Sequence, residues 1–327
     1  MIAEYSYLAT ITAAVVFLFA AMLHAVEWAS AGVRRQRRTA ALREPALVAA
    51  GGGAGETVSA PGAEADSGDD PGPEPAGAEE RTSKFGRMGL ALSLIATALV
   101  LAGVITRGVA AQRLPLSNMY EFCSMAMLVV AVFYLVLNLR YKMTFLGLPV
   151  TLLLTLGLGA TVTWFYVDIV PLIPALQSVW FEFHISAAAI CAAAFNIAAI
   201  TSILYLLRRR ADAKGGAKGY LSRLPSAEKL DRISYWCLAF AFPLWTFTIT
   251  AGAIWAQYAW ARFWGWDPKE TWALVTWVIY ACYLHARLTA GWRTVVPAVI
   301  AIIGAISFWF NFVGINLLVS GLHSYAM

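Results

Sequence analysis

The chemistry this 327-residue sequence can offer rests on a few residue types: four His, 13 Trp and four Cys. Neutral imidazole presents a nitrogen lone pair and is a common ligand for transition-metal ions. Five Trp fall within 18 residues, at Trp255, Trp260, Trp264, Trp266 and Trp272, with Tyr258 and Phe263 between them. The segment Asp267-Pro268-Lys269-Glu270 has the order of a capping box, with Asp as N-cap, Pro at the first helical position and Glu at the third. Asp267 and Glu270 therefore read as residues that end and orient a helix, not as acid–base catalysts. Cys123, Cys191, Cys237 and Cys282 lie inside apolar runs without a CxxC pair, so they read as small apolar residues.

The elements that must position these residues are membrane helices. Hydrophobic residues make up 60% of the chain and charged residues 13%, about half the charge of a soluble domain. Eight apolar runs are long enough to cross a bilayer: 7–29, 88–106, 119–139, 143–164, 184–207, 233–255, 272–290 and 294–319. The expected fold is all-α, a polytopic membrane bundle of about eight transmembrane helices. A soluble enzyme, a nucleic-acid binder and a disulfide scaffold are excluded, and no fixed repeat suggests a solenoid or an inverted-repeat transporter. No basic residue precedes the first run and Arg-Arg-Gln-Arg-Arg follows it at 34–38, the pattern of a retained anchor with its N-terminus outside. Eight spans then place the C-terminus outside as well. With that orientation 20 of the 24 Lys and Arg fall inside, and only Arg107, Arg113, Arg262 and Lys269 fall outside. The net charge of +5 is thus a topology signal. Residues 44–80, rich in Ala, Gly and Pro with nine acidic residues, read as a disordered cytoplasmic linker between the anchor (1–29) with its basic flank and the membrane domain (88–327). The acidic pairs Asp69-Asp70 and Glu79-Glu80 belong to that solvated tether.

The Trp cluster (255–272) occupies the outside loop between spans six and seven. Two readings fit it: an interfacial aromatic belt, or a shelf for a flat aromatic ligand. His184 opens span five from the same side, and His323 lies four residues beyond span eight. Either His alone reads as an interfacial side chain. Both converging on one aromatic loop read as a pair of axial ligands for haem iron. His285 is different, lying 13 residues into span seven, about 20 Å deep, where an ionisable side chain marks function by default. His24, in the inner half of span one, either pairs with His285 or makes a helix-packing hydrogen bond. Arg262 and Lys269 either solubilise the interface or meet a ligand's carboxylates. Asn118, Asn311 and Asn316 read as helix caps or interhelical hydrogen-bonding groups.

The stretches LPLSNMYEF (114–122), LQSVWFEFHI (176–185), FWGWDPKETWALVTWVIYACYLHARL (263–288) and NFVGINLLVSGLHSY (311–325) resemble the CcsA/ResC type of system II cytochrome c biogenesis proteins, also called CcsB in some bacteria. The likeness runs from about residue 88 to the C-terminus, and the Trp-rich part resembles the WWD haem-handling segment of that family. The resemblance implies that haem b is carried as transported substrate and transient ligand, with His184 and His323 as external axial ligands and His285 as a ligand within the membrane. It further implies a ResB/Ccs1-like membrane partner, an apocytochrome c with a CxxCH motif as acceptor, and thioredoxin-like thiol reductants acting indirectly, all at the outer face of a bacterial plasma membrane. No family position corresponds to His24. The competing expectations are a haem exporter of the CcmC type without ligase activity, the ligase-like CcmF of system I, a cytochrome b-like electron carrier, and a multi-span transporter that binds no haem.

Overall fold

A computed structural model describes residues 1–50, 76–217, 219–289 and 295–323. Among them are nine α-helices and no strand: α1 (Ile2–Ala50), α2 (Ala76–Ala111), α3 (Met119–Tyr141), α4 (Gly147–Thr163), α5 (Val179–Ala213), α6 (Ala227–Trp260), α7 (Pro268–Leu288), α8 (Val296–Trp309) and the short α9 (Ile315–Leu318). The helical stretches at Ile2–Ala29, Lys84–Ala111, Met119–Tyr141, Thr144–Thr163, Val179–Ala213, Ala227–Trp260 and Val296–Leu318 are long and apolar enough to cross a membrane. The chain is a multi-pass membrane protein. The expected seventh span, α7, is 21 residues long but less apolar, because Trp, Thr, Tyr and His285 take the place of aliphatic residues along it. It packs between α6 and α8.

The apolar stretches form helices because no other structure lets a single segment satisfy its backbone polar groups within a bilayer. Helix α1 lies on α2 and α4, and α3 joins this group to α5, which runs along α6 and α8. One core is continuous through both groups, from Phe17, Met127 and Leu154 to Phe195, Trp245, Tyr280 and Phe308. Three differences from the sequence reading stand out. The expected linker lies for the most part outside the described residues, and its two ends are helical, since α1 runs to Ala50 and α2 begins at Ala76. The eighth run is not one regular helix: a π turn at Phe310–Gly314 separates α8 from α9. Cys123, Cys191 and Cys237 are buried, whereas Cys282 is exposed on the surface of α7.

The connections 112–118, 164–178 and 261–267 gather with the C-terminal turn at one end of the bundle. A buried ion network fixes this end. The Glu121 carboxylate accepts from Arg107 Nε at 3.0 Å, Arg113 at 2.7 and 3.2 Å, and the Ser117 backbone N–H and hydroxyl at 2.9 Å each. Arg107 also donates to the Val167 carbonyl at 2.8 Å, which ties the 164–178 connection to α2. Removing one member of such a network leaves the others charged and buried, at a cost of about 3–5 kcal/mol. Glu121→Ala is therefore expected to lower the thermal midpoint in detergent by several degrees or abolish folding. An unchanged midpoint would show that the network does not hold this end together.

Candidate functional site

At the end braced by Glu121, a cavity opens between α3, α5, α6, α7 and the C-terminal segment. Its wall includes His184, Trp255, Trp260, Trp264 and His323, with Phe122, Phe181, Trp245, Phe308 and Phe312 completing the aromatic lining. Trp255 is buried and its indole N–H donates to the Ala175 carbonyl at 2.7 Å, so the wall is anchored to the 164–178 connection. Both imidazoles flank this indole. The His184 ring lies parallel to it at 6.1 Å, and the His323 ring meets it edge-on at 5.8 Å and Trp260 at 5.0 Å.

Each histidine is oriented by its Nδ1 atom. His184 Nδ1 lies 2.7 Å from the backbone carbonyl of Thr248 on α6. A carbonyl only accepts, so Nδ1 carries the proton and the lone pair resides on Nε2. This approach requires Gly252 one turn further along α6, because a Cβ there would stand 2.7 Å from the His184 ring. His323 Nδ1 lies 2.9 Å from Asp267 Oδ1, and a carboxylate again only accepts. Asp267 Oδ2 takes the backbone N–H of Leu322 at 2.8 Å. Gly321 is again a matter of space, since a Cβ there would come within 2.8 Å of Asp267 Oδ2. An outer partner that fixes the tautomer and ring direction is the usual companion of an iron- or metal-binding imidazole.

The expected capping box is present. Asp267 Oδ1 accepts from the Lys269 N–H at 3.1 Å, and Glu270 Oε2 accepts from the N–H groups of Asp267 at 3.1 Å and Gly265 at 2.9 Å. One carboxylate thus opens α7 and aims His323. Burial pulls the Asp267 carboxyl upward, but the His323 imidazole and the Leu322 and Lys269 N–H groups outweigh it and leave the carboxyl below its ordinary range. Arg262 is paired with Glu270 at 3.1 and 3.3 Å, and Lys269 Nζ turns inward onto the carbonyls of Asn311 at 3.1 Å and Phe312 at 3.5 Å in the π turn.

Not every sequence candidate joins the cavity. Trp266 is exposed and stands edge-on to Trp264, while Trp272 packs on Phe310 at 4.5 Å outside the lining. His285 is exposed on α7, and its side chain makes no hydrogen bond among the described residues. His24 is buried elsewhere, with Glu27 and the Tyr134 hydroxyl each at 3.4 Å and Gly89 and Gly147 against its ring. The idea of a His24–His285 pair is not met: one ring is enclosed by α1–α4 and the other faces out from α7. Asn118 caps α3, and Asn316 donates to the Phe312 carbonyl at 2.8 Å. The π turn, which brings Asn311 and Phe312 to the wall, has no signal in an unbroken apolar run.

Comparison with known proteins adds the family. A model described as cytochrome C assembly protein matches residues 116–323, more than half the chain. The chain belongs to this family. The matched stretch begins at Leu116 and ends at His323, both on the cavity wall. Among cytochrome c biogenesis proteins named CcsA, that of Mesostigma viride is 34% identical over 265 residues, covering 74% of this chain and 86% of the relative. That of Microcystis aeruginosa is 33% identical over 288 residues, covering 74% and 87%. That of Chlamydomonas reinhardtii is 45% identical over 155 residues, covering 47% and 43%. This CcsA-type chain therefore has a role in cytochrome c maturation.

Two measurements check the geometry. Nitrogen NMR of histidine-labelled protein should show the Nδ1–H tautomer at His184 and His323, and Gly252→Ala should alter the signal of His184 alone. The opposite tautomer at either site would contradict the assignment. The depressed Asp267 carboxyl gives a direction in acid: its contribution is complete above about pH 4, the unfolded value, and is lost as pH falls through the lower folded value. Hydrogen exchange at the Leu322 amide, corrected for intrinsic rates, should stay protected through about pH 4 and fail only as pH falls through the lower folded value. Loss of protection at neutral pH would show that Asp267 does not hold the turn.

Proposed function

We propose that this protein carries haem b as cargo at the outer face of a bacterial plasma membrane. It presents the haem to apocytochrome c as the membrane component of a cytochrome c synthetase. The observation that supports this is the pair of imidazoles, each anchored through Nδ1, that flank one buried indole in an aromatic cavity. The residues fit the group. Haem needs a flat apolar surface, met by Trp255, Trp260 and Trp264, and axial nitrogen donors, met by Nε2 of His184 and His323. Trp266, Trp272 and Asp267 belong to the same haem-handling segment, Asp267 through His323 and the two Trp at its rim.

His285 acts at a separate station within the membrane. Its exposed position on α7 suits a ligand completed by a second chain, and a ResB/Ccs1-like membrane protein is the partner of that kind. A His24 contribution as a ligand has no support in its surroundings, and a packing role suits it better. Covalent attachment adds each CxxCH thiol S–H across a haem vinyl C=C, with no oxidant and no leaving group. Thioredoxin-like proteins act indirectly by keeping those thiols reduced. What this chain contributes is alignment: fixed axial imidazoles and an aromatic wall hold the vinyl edge where the thiols arrive.

His184→Gly and His323→Gly should each remove the low-spin haem spectrum of the purified protein and abolish holocytochrome formation, with added imidazole restoring part of both. Normal holocytochrome formation by both variants would contradict the site. Co-expression with a ResB-like partner and a CxxCH reporter, in cells lacking their own maturation genes, separates the remaining readings. Covalent haem on the reporter that depends on this chain marks a ligase. Haem delivered without covalent attachment marks an exporter, and absence of any Soret band after haem loading marks a transporter of another kind.

A further inference from the structure

Two buried polar atoms in the cavity wall have no hydrogen-bond partner among the described residues: Asn118 Nδ2 and Asn311 Oδ1. Their residues are 7% and 8% exposed, and both line the cavity that holds His184 and His323. The Asn118 amide is not free to turn over. Its Oδ1 caps α3 by accepting the Glu121 N–H at 2.9 Å, which commits Nδ2, a donor, to the other side. Asn311 has no such constraint, and rotation of its amide offers a donor in place of the acceptor. Lys269 lines the same wall, with its ammonium 3.1 Å from the Asn311 backbone carbonyl.

A buried donor left unpaired is costly, so a purely apolar occupant is a poor match for this wall. Two amide donors beside an ammonium suit a group that only accepts and carries negative charge, which is a carboxylate. The loop's other cation, Arg262, is already paired with Glu270. We propose that Asn118, Asn311 and Lys269 form a carboxylate subsite of the cavity that takes a propionate of the bound porphyrin. The inference rests on the haem reading given above and adds an orientation to it. With a propionate held beside the N-terminus of α3, the propionate edge of the porphyrin faces α3 and the opposite edge faces away from it.

The test is a titration of the purified full-length protein with ferric haem and with its dimethyl ester, in which both propionates are blocked. The wild-type protein should prefer free haem by about tenfold or more, the worth of a hydrogen bond to a charged group. Asn118→Asp keeps an equally good N-cap but replaces the amide donor with a second anion, and should erase or reverse that preference. Asn118→Ser, uncharged and still able to cap, should reduce the preference as well and serves if the Asp variant does not fold. Equal binding of the two porphyrins by the wild-type protein, or an undiminished preference in the folded variants, would overturn the subsite while leaving the histidine site intact. Failure of the wild-type protein to bind either porphyrin would instead overturn the haem reading itself.

Discussion

The Asp267 carboxylate joins three parts of the chain that are distant in sequence or differ in conformation: the Trp-rich connection, the first turn of α7 and the C-terminal turn. It accepts from the Lys269 N–H within the helix, from the Leu322 N–H across 55 residues, and from the His323 ring across 56. A single capping residue normally satisfies the helix it begins. Here the capping oxygen, Oδ1, also chooses the His323 tautomer, so the direction of an imidazole lone pair depends on where α7 starts. Glu270 makes this reliable, because it holds the Asp267 and Gly265 N–H groups while it pairs with Arg262.

The opposite wall of the cavity has its own fixed point in Glu121, buried with Arg107 and Arg113. That network sets the 112–118 connection and therefore Asn118, while Arg107 and Trp255 both hold the 164–178 connection through its carbonyls. Between these walls, α5 and α6 approach closely at Gly252, where His184 reaches the Thr248 carbonyl. The π turn at Phe310–Gly314 supplies the last piece by presenting carbonyls to Lys269. π turns inside α-helices often coincide with functional sites, since the extra residue re-aims side chains at the expense of regular hydrogen bonding. The cavity is thus framed by fixed points on α3, α5, α7 and the C-terminal segment, and its imidazoles are oriented by the protein itself.

Much of this was legible in the sequence, and the reasons are physical. Apolar runs of about 20 residues have one structural outcome in a bilayer, so the helices fall close to their expected positions. The Asp-Pro-Lys-Glu order specifies a helix start through local hydrogen bonds alone, and the capping box is present at that place. The convergence of His184 and His323 followed from topology, because both lie where the chain turns at one end of the bundle. What the sequence could not display depends on rotation about a helix axis or on irregular backbone. His285 and His24 occupy similar runs, yet one faces outward and the other is enclosed by Tyr134, Gly89 and Gly147. Trp266 and Trp264 are two residues apart, but only Trp264 reaches the cavity. The π turn and the outward face of Cys282 are hidden for the same reason.

The central claim is that His184 and His323 together offer two Nε2 lone pairs to one iron. Pulsed electron paramagnetic resonance of ferric haem bound to protein carrying nitrogen-15 histidine, in a His285→Ala background, reads this directly. The account predicts a low-spin iron coupled to two labelled imidazole nitrogens. A high-spin iron, or coupling to one labelled nitrogen only, would contradict it.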